Sequence, residues 1–334
     1  MRNNLVAIDL AKKVCQIHML TSSGEVKKKV KTNKLLEFLV NIPEATIAME
    51  ACGSSNHWAR KVTELGHTPK LIPPQFVKPF LIGNKNDSND ARAIFVAAQQ
   101  KHIRSVPHKS LRQQEINMIH NVRSGLIRSR TKVINQIRGY LRELGIKTEA
   151  SKYRLATQVA LVCEDADNAL GYDTRWLLSE LRADWVRFDE RVKSCEERLK
   201  VFAKENEAVV RLMEIPGVGL ITATCIVCSY GDLKQFKQGR NFAAWVGLVP
   251  SHSGTGGKNQ NMKLTKRCDV YLRQMMIHGA RSVLALAVNG VGHQAKRWAE
   301  LEARVGFNKA CVAIANRNAR TAWALIVKNE EYKK

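Results

Sequence analysis

No apolar run in this 334-residue sequence reaches the roughly 18 residues that a helix needs to cross a bilayer. The opening residues also turn polar at Asp9, which is too early for a signal peptide. We therefore expect a cytoplasmic protein without a membrane partner. The apolar fraction of 45% excludes a disordered chain, because such chains lack the surface to build a core.

A second cysteine pair at metal-binding spacing is also lacking. The eight cysteines are spread from Cys15 to Cys311, and the C-x-x-C pair, Cys225 and Cys228, lies in an apolar run. A structural zinc site needs a second pair of ligands at a regular spacing. The sequence therefore predicts that the cysteines are small buried side chains rather than zinc ligands.

Acidic residues are few beside the basic ones: 30 Asp and Glu against 54 Lys and Arg, for a formal net charge of +24. Most of the excess lies in two segments, +8 in residues 101–145 and +10 in residues 251–334, whereas residues 151–200 carry −1. Basic residues that served only solubility would be spread more evenly along the chain. The pattern favours a nucleic-acid partner, since Lys and Arg neutralise phosphates and release counterions.

The first hundred residues alternate apolar runs, turn signals and helical patterns. Apolar runs predict strands at 5–10, 14–20, 46–51 and 69–72. Alternating valines and lysines predict an edge strand at 25–31. Helices are predicted at 33–40, 55–65 and 88–100. The resulting order β-β-β-α-β-α-β-α indicates an α/β domain with a mixed sheet.

Two long helices are predicted in the middle of the chain. Across 110–145 apolar residues recur every seven positions, with a second seam that includes Val122 and Leu144. Across 180–206 an apolar stripe alternates steps of three and four. The stripes favour two helices that pack together or across a dimer, and an ordinary core face is the alternative.

Two motifs characterise the last third of the chain. Segment 215–219 reads Ile-Pro-Gly-Val-Gly between two helical patterns, which is similar to a helix-hairpin-helix. Such a turn can direct backbone N–H groups at a phosphate, and Gly217 and Gly219 are its candidate contact residues. A simple tight turn is the alternative. Segment 247–258 is rich in glycine and hydroxyl residues and predicts a loop.

Four acidic residues of the first section lie where carboxylates could converge. Asp9 is near the end of the first strand, Glu50 ends the fourth, and Asp87 and Asp90 open a helix three residues apart. Converging carboxylates repel each other unless a cation is present, and oxygen ligands suit Mg²⁺. Two such ions can clamp the reacting oxygens of a phosphodiester. The alternatives are a strand-end acid bonded to a turn and acids that favour a helix dipole.

The glycine-rich segment supplies candidate nucleophiles. A Ser or Thr hydroxyl, here Ser253 or Thr255, can attack phosphorus and hold DNA covalently, and Lys258 can neutralise the phosphate. The segment does not match a P-loop, because Asn259 follows Lys258. A mobile polar loop is the alternative interpretation.

Nine short motifs, in the same order over nearly the whole chain, resemble transposases of the insertion-sequence one-hundred-and-ten type. They lie at 7–12, 49–53, 86–91, 128–132, 135–138, 215–219, 247–250, 265–267 and 277–281. Each motif alone has little specificity, but the set is highly specific. The later motifs are most similar to the subgroup named after insertion sequence eleven-eleven.

The resemblance implies a RuvC-like, RNase H-type first domain in which Asp9, Glu50, Asp87 and Asp90 form a DEDD motif that binds Mg²⁺. It implies a helical C-terminal domain with a nucleophilic serine, and a nucleoid-associated protein of the prokaryotic cytosol. It also implies a noncoding bridge RNA that specifies donor and target double-stranded DNA. In the family, tetramers built as dimers of dimers pair one subunit's acidic site with another's nucleophile.

The nucleophile segment departs from the family pattern. Family members commonly have Ser-Ser-Gly-Gly-Lys or Ser-Thr-Gly-Gly-Lys where this chain has Ser-Gly-Thr-Gly-Gly-Lys at 253–258. Counting without gaps favours Thr255, whereas the less hindered primary alcohol favours Ser253. Both residues stay open at this point, and an inactive copy is compatible with the sequence.

The sequence thus predicts three parts: an RNase H-like α/β domain at 1–105, a helical coiled-coil connector at 106–206 and a helical transposase domain at 207–334. The predicted function is a DNA recombinase with a covalent Ser/Thr–DNA intermediate. The residues predicted to contact nucleic acid are Arg123, Arg128, Arg130, Lys132, Arg138, Gly217, Gly219, Lys258, Lys266 and Arg267. The rival functions are a metal-dependent junction endonuclease that uses water and a non-catalytic nucleic-acid-binding protein.

Overall fold

The chain forms two compact units in the computed structural model. The structure describes residues 4–22, 24–82, 87–255, 258–265, 268–292 and 294–332, with the backbone alone at 87, 88, 252–255 and 258–262. Unit 1 comprises Met1–Gln114 and Cys228–Lys237, and unit 2 comprises Glu115–Val227 and Gln238–Lys334. Within the described ranges, no helix is both long and apolar enough to cross a membrane.

A five-stranded mixed sheet organises unit 1. Its strands are β1 (Leu5–Asp9), β2 (Val14–Thr21), β3 (Gly24–Lys31), β4 (Thr46–Glu50) and β5 (Thr68–Ile72). They are arranged β3-β2-β1-β4-β5, with β1, β2 and β3 antiparallel and β1, β4 and β5 parallel. The predicted mixed sheet and the position of β3 at its edge are confirmed.

Helices cover both faces of this sheet. They are α1 (Leu35–Val40), α2 (Ser55–Glu64), α3 (Pro74–Val77) and α4 (Asp87–Gln99). Because side chains alternate along a strand, Ile8 and Met49 pack in one core with α1 and α2. Ala7 and Ala48 face the other way, against α4, where Ala93 is part of the same core. Small residues on both surfaces let α4 lie close to β1 and β4.

Long helices dominate the first half of unit 2. They are α5 (Leu111–Glu143), α6 (Lys152–Glu164) and α7 (Tyr172–Lys204), so both predicted long helices are confirmed. The second seam is wrong in part, because Val122 and Leu144 are exposed. The sequence interpretation also missed α6, whose Leu155 and Val159 are buried in one core with residues of α5 and α7. The helix pair therefore shares its core with a third element.

The remainder of unit 2 is largely helical, as predicted. Its elements are α8 (Glu207–Met213), α9 (Leu220–Ser229), α10 (Gly239–Trp245), β6 (Pro250–Thr255), β7 (Lys258–Leu264), α11 (Val270–Val288), α12 (Ala295–Val305) and α13 (Phe307–Val327). The last two residues of α9, Cys228 and Ser229, belong to unit 1. Cys225 and Cys228 are buried as expected, and burial raises the pKa of Cys228 to about 12. Cys52, in contrast, is exposed.

The prediction of a loop over 247–258 is wrong for 250–255 and for Lys258, which lie in strands. Strands β6 and β7 pair antiparallel, with Pro250 opposite Leu264 and Thr255 opposite Lys258. The sequence carried the signal for this, because two consecutive glycines between polar runs favour a two-residue hairpin connection. Reading glycine and hydroxyl content as a loop overlooked that spacing.

Candidate active site

Two of the predicted carboxylates lie at the carboxyl ends of neighbouring parallel strands. Asp9 ends β1 and Glu50 ends β4, and the two strands pair up to Ile8 opposite Met49, one residue earlier in each. Both carboxylate residues are half-buried. Alternation along the strands puts them on the same face as Ala7 and Ala48, the face that α4 covers.

Asp90 approaches this edge from α4. Burial raises the pKa of the Glu50 carboxyl above its usual value, the negative charge of Asp90 raises it further, and the Lys78 ammonium lowers it. The structure therefore brings Glu50 and Asp90 within electrostatic reach of each other. Lys78 was missed by the sequence interpretation, since no motif singled it out.

The donor set suits a hard cation, although three ligands are not assembled in the described part of the chain. Asp87 begins α4, but its side chain lies outside the description. Among the side chains that are described, no three from His, Cys, Asp and Glu lie close enough to hold a metal ion. Like charges at Glu50 and Asp90, which a divalent cation would neutralise, are the feature that fits Mg²⁺.

The candidate nucleophiles lie on the β6–β7 hairpin of unit 2. Ser253 and Thr255 are on β6 and Lys258 begins β7, but these three side chains lie outside the description. At the base of the hairpin the Ser251 hydroxyl donates to the Lys263 carbonyl at 2.9 Å. The next two predicted nucleic-acid contacts, Lys266 and Arg267, lie outside the described residues.

The turn between α8 and α9 has a tight backbone reversal. The Val218 N–H donates to the Ile215 carbonyl at 2.9 Å, and Gly217 has a φ of +86°. Pro at the second and Gly at the third position, with positive φ at the glycine, is the pattern of a type II turn. At the end of this segment, no described atom beyond the chain neighbours of Gly219 lies within 4 Å of the position of a Cβ added to it.

Gly217 is also needed for packing inside the protein. A Cβ on Gly217 would lie 2.7 Å from the carbonyl oxygen of Gly279 on α11, and a Cβ on Gly279 would overlap the Gly217 carbonyl oxygen. The Asn318 amide donates to the Pro216 carbonyl at 2.8 Å. The turn is thus fixed against α11 and α13, whereas a nucleic-acid role of Gly217 and Gly219 stays a prediction.

A buried histidine links three helices of unit 2. The Thr224 hydroxyl donates to the Leu220 carbonyl at 2.8 Å, which leaves its oxygen to accept from His120 Nε2 at 3.1 Å. His120 Nδ1 then accepts from the Tyr271 hydroxyl at 3.3 Å. Burial, with a smaller contribution from the Arg123 charge, lowers the pKa of His120 to about 4. The ring is therefore neutral and joins α5 to α9 and α11.

Two of the predicted nucleic-acid contacts on α5 have carboxylate partners on α7. The Arg123 guanidinium donates to Glu196 Oε1 through Nε at 2.9 Å and Nη2 at 2.7 Å. Arg130 forms an ion pair with Asp189. Both arginine side chains are largely buried, with 13% and 17% exposed. Their contribution to nucleic-acid binding stays a prediction.

The other three predicted contacts on α5 lie nearer the surface. Arg128 and Lys132 are exposed and four residues apart, which puts them on one side of the helix. Arg138 is half-buried and donates to the Ala150 carbonyl at 2.7 Å. Arg128 and Lys132 therefore present their charges to solvent.

Comparison with known proteins connects both units to one group of mobile-element enzymes. Residues 6–146 match a DEDD transposase family model of the IS110 group, and residues 209–295 match the model described as "Transposase IS116/IS110/IS902 family". Similarity to individual proteins extends over almost the full length. A "Probable family 20 transposase" of Pseudomonas aeruginosa is 38% identical over 332 residues, which covers 98% of each chain. The chain belongs to the IS110 family of transposases.

Two further relatives are insertion-sequence transposases. The transposase for IS1111A of Coxiella burnetii is 37% identical over 98% of this chain and 91% of its own length. The transposase for IS1328 of Yersinia enterocolitica is 34% identical over 99% of this chain and 98% of its own. The resemblance identified from the nine sequence motifs, including its subgroup, is confirmed. The first matched segment contains all four predicted carboxylates, and the second contains the α8–α9 turn and the hairpin.

Proposed function

We propose that this transposase cuts and rejoins DNA through a covalent Ser/Thr–DNA intermediate. The carboxylates Asp9, Glu50, Asp87 and Asp90 would hold Mg²⁺, and Ser253 or Thr255 on the β6–β7 hairpin would attack phosphorus. The observation that carries the proposal is the meeting of Glu50 and Asp90 beside the end of β1, on the face covered by α4. Strand order β3-β2-β1-β4-β5 supports an RNase H-like, RuvC-like fold for unit 1.

We call the four carboxylates Asp9, Glu50, Asp87 and Asp90 the acidic edge. The acidic edge would prepare the site for phosphoryl transfer. When bound, a divalent cation stabilises negative charge on the reacting phosphodiester oxygens. Glu50 has a raised pKa and Asp90 lies close to it, so both gain by sharing a positive charge. Lys78 supplies part of that charge from the protein itself. These residues would bind and orient the cation, and the rigid strand ends would fix its place.

The covalent step conserves the number of phosphodiester bonds. The Ser or Thr oxygen attacks phosphorus, the bond from that phosphorus to one deoxyribose oxygen breaks, and the protein oxygen takes its place. The hydroxyl proton passes to a base, and the released deoxyribose oxygen gains a proton. Attack by the hydroxyl of a second DNA end reverses the step and rejoins DNA without an external energy source.

The family resemblance supports two proposals about partners. A noncoding bridge RNA would select donor and target DNA, and the exposed charges of Arg128 and Lys132 on α5 are available to its backbone. The protein would act as a homotetramer, a dimer of dimers, in which the acidic edge of one subunit acts with the hairpin of another. The clustered charge of the chain supports a polyanionic partner.

Asp9→Asn is the test of the acidic edge. We expect cleavage of donor DNA to fall at least about 100-fold, because charge stabilisation at the reacting oxygens is lost, while DNA binding persists. Glu44→Gln, at an exposed acid of the same unit, is the matched control for the lost charge and should cleave normally. Full cleavage by Asp9→Asn would remove the acidic edge from the mechanism. Cleavage without any covalent adduct in the wild type would favour the junction endonuclease.

The partner proposals have separate tests. Purification of the protein together with its flanking noncoding RNA should recover one discrete RNA, and recovery of none would contradict the guided mechanism. Mixing Asp9→Asn with a Ser253→Ala/Thr255→Val variant should restore cleavage if the two sites act from different subunits. A mixture as inactive as its components would place both sites in one subunit.

A further inference from the structure

A basic groove lies between α12 and α13, outside the segments 6–146 and 209–295 that the family models match. It has a volume of about 480 Å³. Arg297 and Arg304 line it from α12, and Arg317 and Arg320 line it from α13. Glu300 is the one acidic residue of the described lining. The groove therefore holds part of the positive charge of residues 251–334, although none of its four arginines was among the predicted nucleic-acid contacts.

These four arginine charges are not neutralised by described carboxylates. None of them takes part in an ion pair among the described residues, in contrast to Arg123 and Arg130 of α5. Arg297, Arg304 and Arg320 are exposed. An anion that enters the groove would therefore meet guanidinium groups with donors to offer.

The groove is built on a fixed aromatic ring. Trp298 of α12 is half-buried, and the guanidinium carbons of Arg297 and Arg317 lie 5.2 and 5.3 Å from its ring centroid. Arg317 Nη1 also donates to Gln294 Oε1 at 2.6 Å. Two arginines are thus positioned by stacking before any ligand arrives, which lowers the entropy cost of binding.

The groove connects to the start of the β6–β7 hairpin. Asn316 of α13 lines the groove, and its amide donates to the Leu248 carbonyl at 3.1 Å. Leu248 precedes Pro250, the first residue of β6. The same side chain therefore belongs to the basic groove and to the support of the strand that carries Ser253 and Thr255.

The spacing of the arginines fits a phosphodiester backbone. Arg297 and Arg304 are seven residues apart, so they share one face of α12 about 10 Å apart along its axis. Arg317 and Arg320 are three apart on α13 and also share a face. Phosphates along one strand of a duplex follow each other about every 3.4 Å of helix axis, so one strand can engage several of these side chains.

We propose that the α12–α13 groove binds the phosphodiester backbone of a nucleic acid next to the nucleophile hairpin. This contact is separate from the acidic edge and from α5, and it needs no cleavage chemistry. The backbone could belong to the DNA that is cut or to an RNA, since both offer the same phosphate groups to guanidinium donors. A purely protein partner would leave nucleic-acid binding unchanged when the groove is altered.

Arg304→Gln/Arg320→Gln is the first test, with Arg191→Gln/Arg198→Gln as its matched control. Both pairs are exposed arginines of unit 2, and the control pair, like Arg297 and Arg304, is seven residues apart on one helix. Affinity for a labelled DNA duplex and for a single-stranded RNA of the same length is measured by fluorescence anisotropy over a range of salt. We expect affinity to fall about tenfold and the slope of log K against log salt to become shallower by about two units, relative to the control.

Ala313 gives a second pair of variants that alter no arginine. It is exposed in the lining of the groove, so Ala313→Glu should weaken binding and Ala313→Lys should keep or strengthen it. A loss of affinity for the DNA duplex alone assigns the groove to DNA, and a loss for the RNA alone assigns it to RNA. A loss of affinity for both probes means that the groove accepts the backbone of DNA and of RNA. Affinities and salt slopes equal to the control for both probes, with Ala313→Glu and Ala313→Lys alike, would overturn the proposal.

Discussion

Polar groups at the sheet edge of unit 1 lie beside like charges, whereas those inside unit 2 are paired through hydrogen bonds. At the edge, Glu50 has a raised pKa because it is partly buried and Asp90 is close. Inside unit 2, His120 accepts from Tyr271 and donates to Thr224, so each polar atom of the ring has a partner. The first arrangement costs free energy as long as the like charges are not neutralised, whereas the second is complete within the protein.

If the proposed function holds, this contrast separates residues that would bind a cation from residues that hold the fold. Like charges in one place are what a cation site requires, since the cation turns repulsion into attraction. A hydrogen-bonded buried histidine and an ion pair such as Arg123–Glu196 instead join helices. Four substitution tests of this distinction follow, in decreasing order of the effect expected.

The largest effect is expected at the hydroxyls of Ser253 and Thr255 on the β6–β7 hairpin, which belong to neither of the two groups compared above. Ser253→Ala/Thr255→Val should reduce cleavage by about 10⁴-fold, because loss of a nucleophile removes the covalent route. The single variants identify the nucleophile, since only one of them should lose the adduct on a suicide DNA substrate. Ser251→Ala, which removes a hydroxyl bonded at the hairpin base, is the control and should still form adduct. Cleavage by the double variant would contradict the covalent mechanism.

A large stability effect is expected at Gly279. An added methyl would overlap the Gly217 carbonyl oxygen, so Gly279→Ala should destabilise unit 2 by about 3 kcal/mol. Gly125→Ala is the matched mid-helix control, since no described atom beyond the adjacent backbone of its own helix lies within 4 Å of its Cβ position. The control should gain about 0.5–1 kcal/mol from the better helix former. Urea midpoints of the two variants provide the measurement, and a mild effect at Gly279 would mean that the turn is not fixed by α11.

His120 should give a stability change that depends on pH. Its pKa is about 4 in the folded protein and near 6.5 when unfolded, so the unfolded state binds the proton more tightly. Stability should therefore fall as pH decreases from 6.5 towards 4, by about 2 kcal/mol between pH 7 and pH 5. His120→Gln should remove that part of the pH dependence in urea unfolding. Equal pH dependence in both proteins would show that the histidine is not buried neutral.

The smallest effect is expected from Mg²⁺ on the acidic edge. At ten times its Kd, Mg²⁺ should stabilise the wild type by about 1.4 kcal/mol, read as a rise in Tm. Glu50→Gln should abolish the rise, and Glu44→Gln, at an exposed acid, should retain it.

The sign of the Glu50 shift sets the pH dependence of that experiment. A raised pKa means that the stabilising contribution of Glu50 is present below the unfolded pKa and is lost as pH rises through the folded one. Without Mg²⁺ at neutral pH, Glu50→Gln should therefore be at least as stable as the wild type. The Mg²⁺ effect has the opposite dependence, because protonation of Glu50 at low pH removes a ligand. A Tm rise that survives in Glu50→Gln would contradict the proposed site.

The fold was predictable where periodicity was strong. Apolar runs predicted four strands of unit 1, alternation predicted the edge strand β3, and the seven-residue repeat predicted α5. Prediction failed where two kinds of structure have the same amino-acid composition. Glycines and hydroxyl residues at 247–258 indicated a loop, but β6 and β7 pair as a hairpin. The core that α5 and α7 share with α6 was not foreseen either, because no motif indicated α6.

The position of the candidate site could be predicted from the sequence better than the side-chain pairing of the predicted contact residues. The apolar runs before them identified Asp9 and Glu50 as strand-end acids, and the register of β1 and β4 brings those strand ends together. Ion pairing of Arg123 with Glu196 could not be inferred, because it joins residues 73 positions apart on different helices. The α12–α13 groove was missed for the same reason: its arginines are scattered in sequence and meet only through helix packing.

The most direct test of the account is the identity of the residue that carries DNA after cleavage is trapped. Trypsin should release residues 241–258 as one peptide, because Arg240 precedes it and Lys258 ends it. After a suicide substrate and nuclease digestion, mass spectrometry should find a nucleotide on Ser253 or Thr255 in the wild type and none in Asp9→Asn. Cleaved DNA with no modified peptide, or a nucleotide on a residue outside 241–258, would contradict the account.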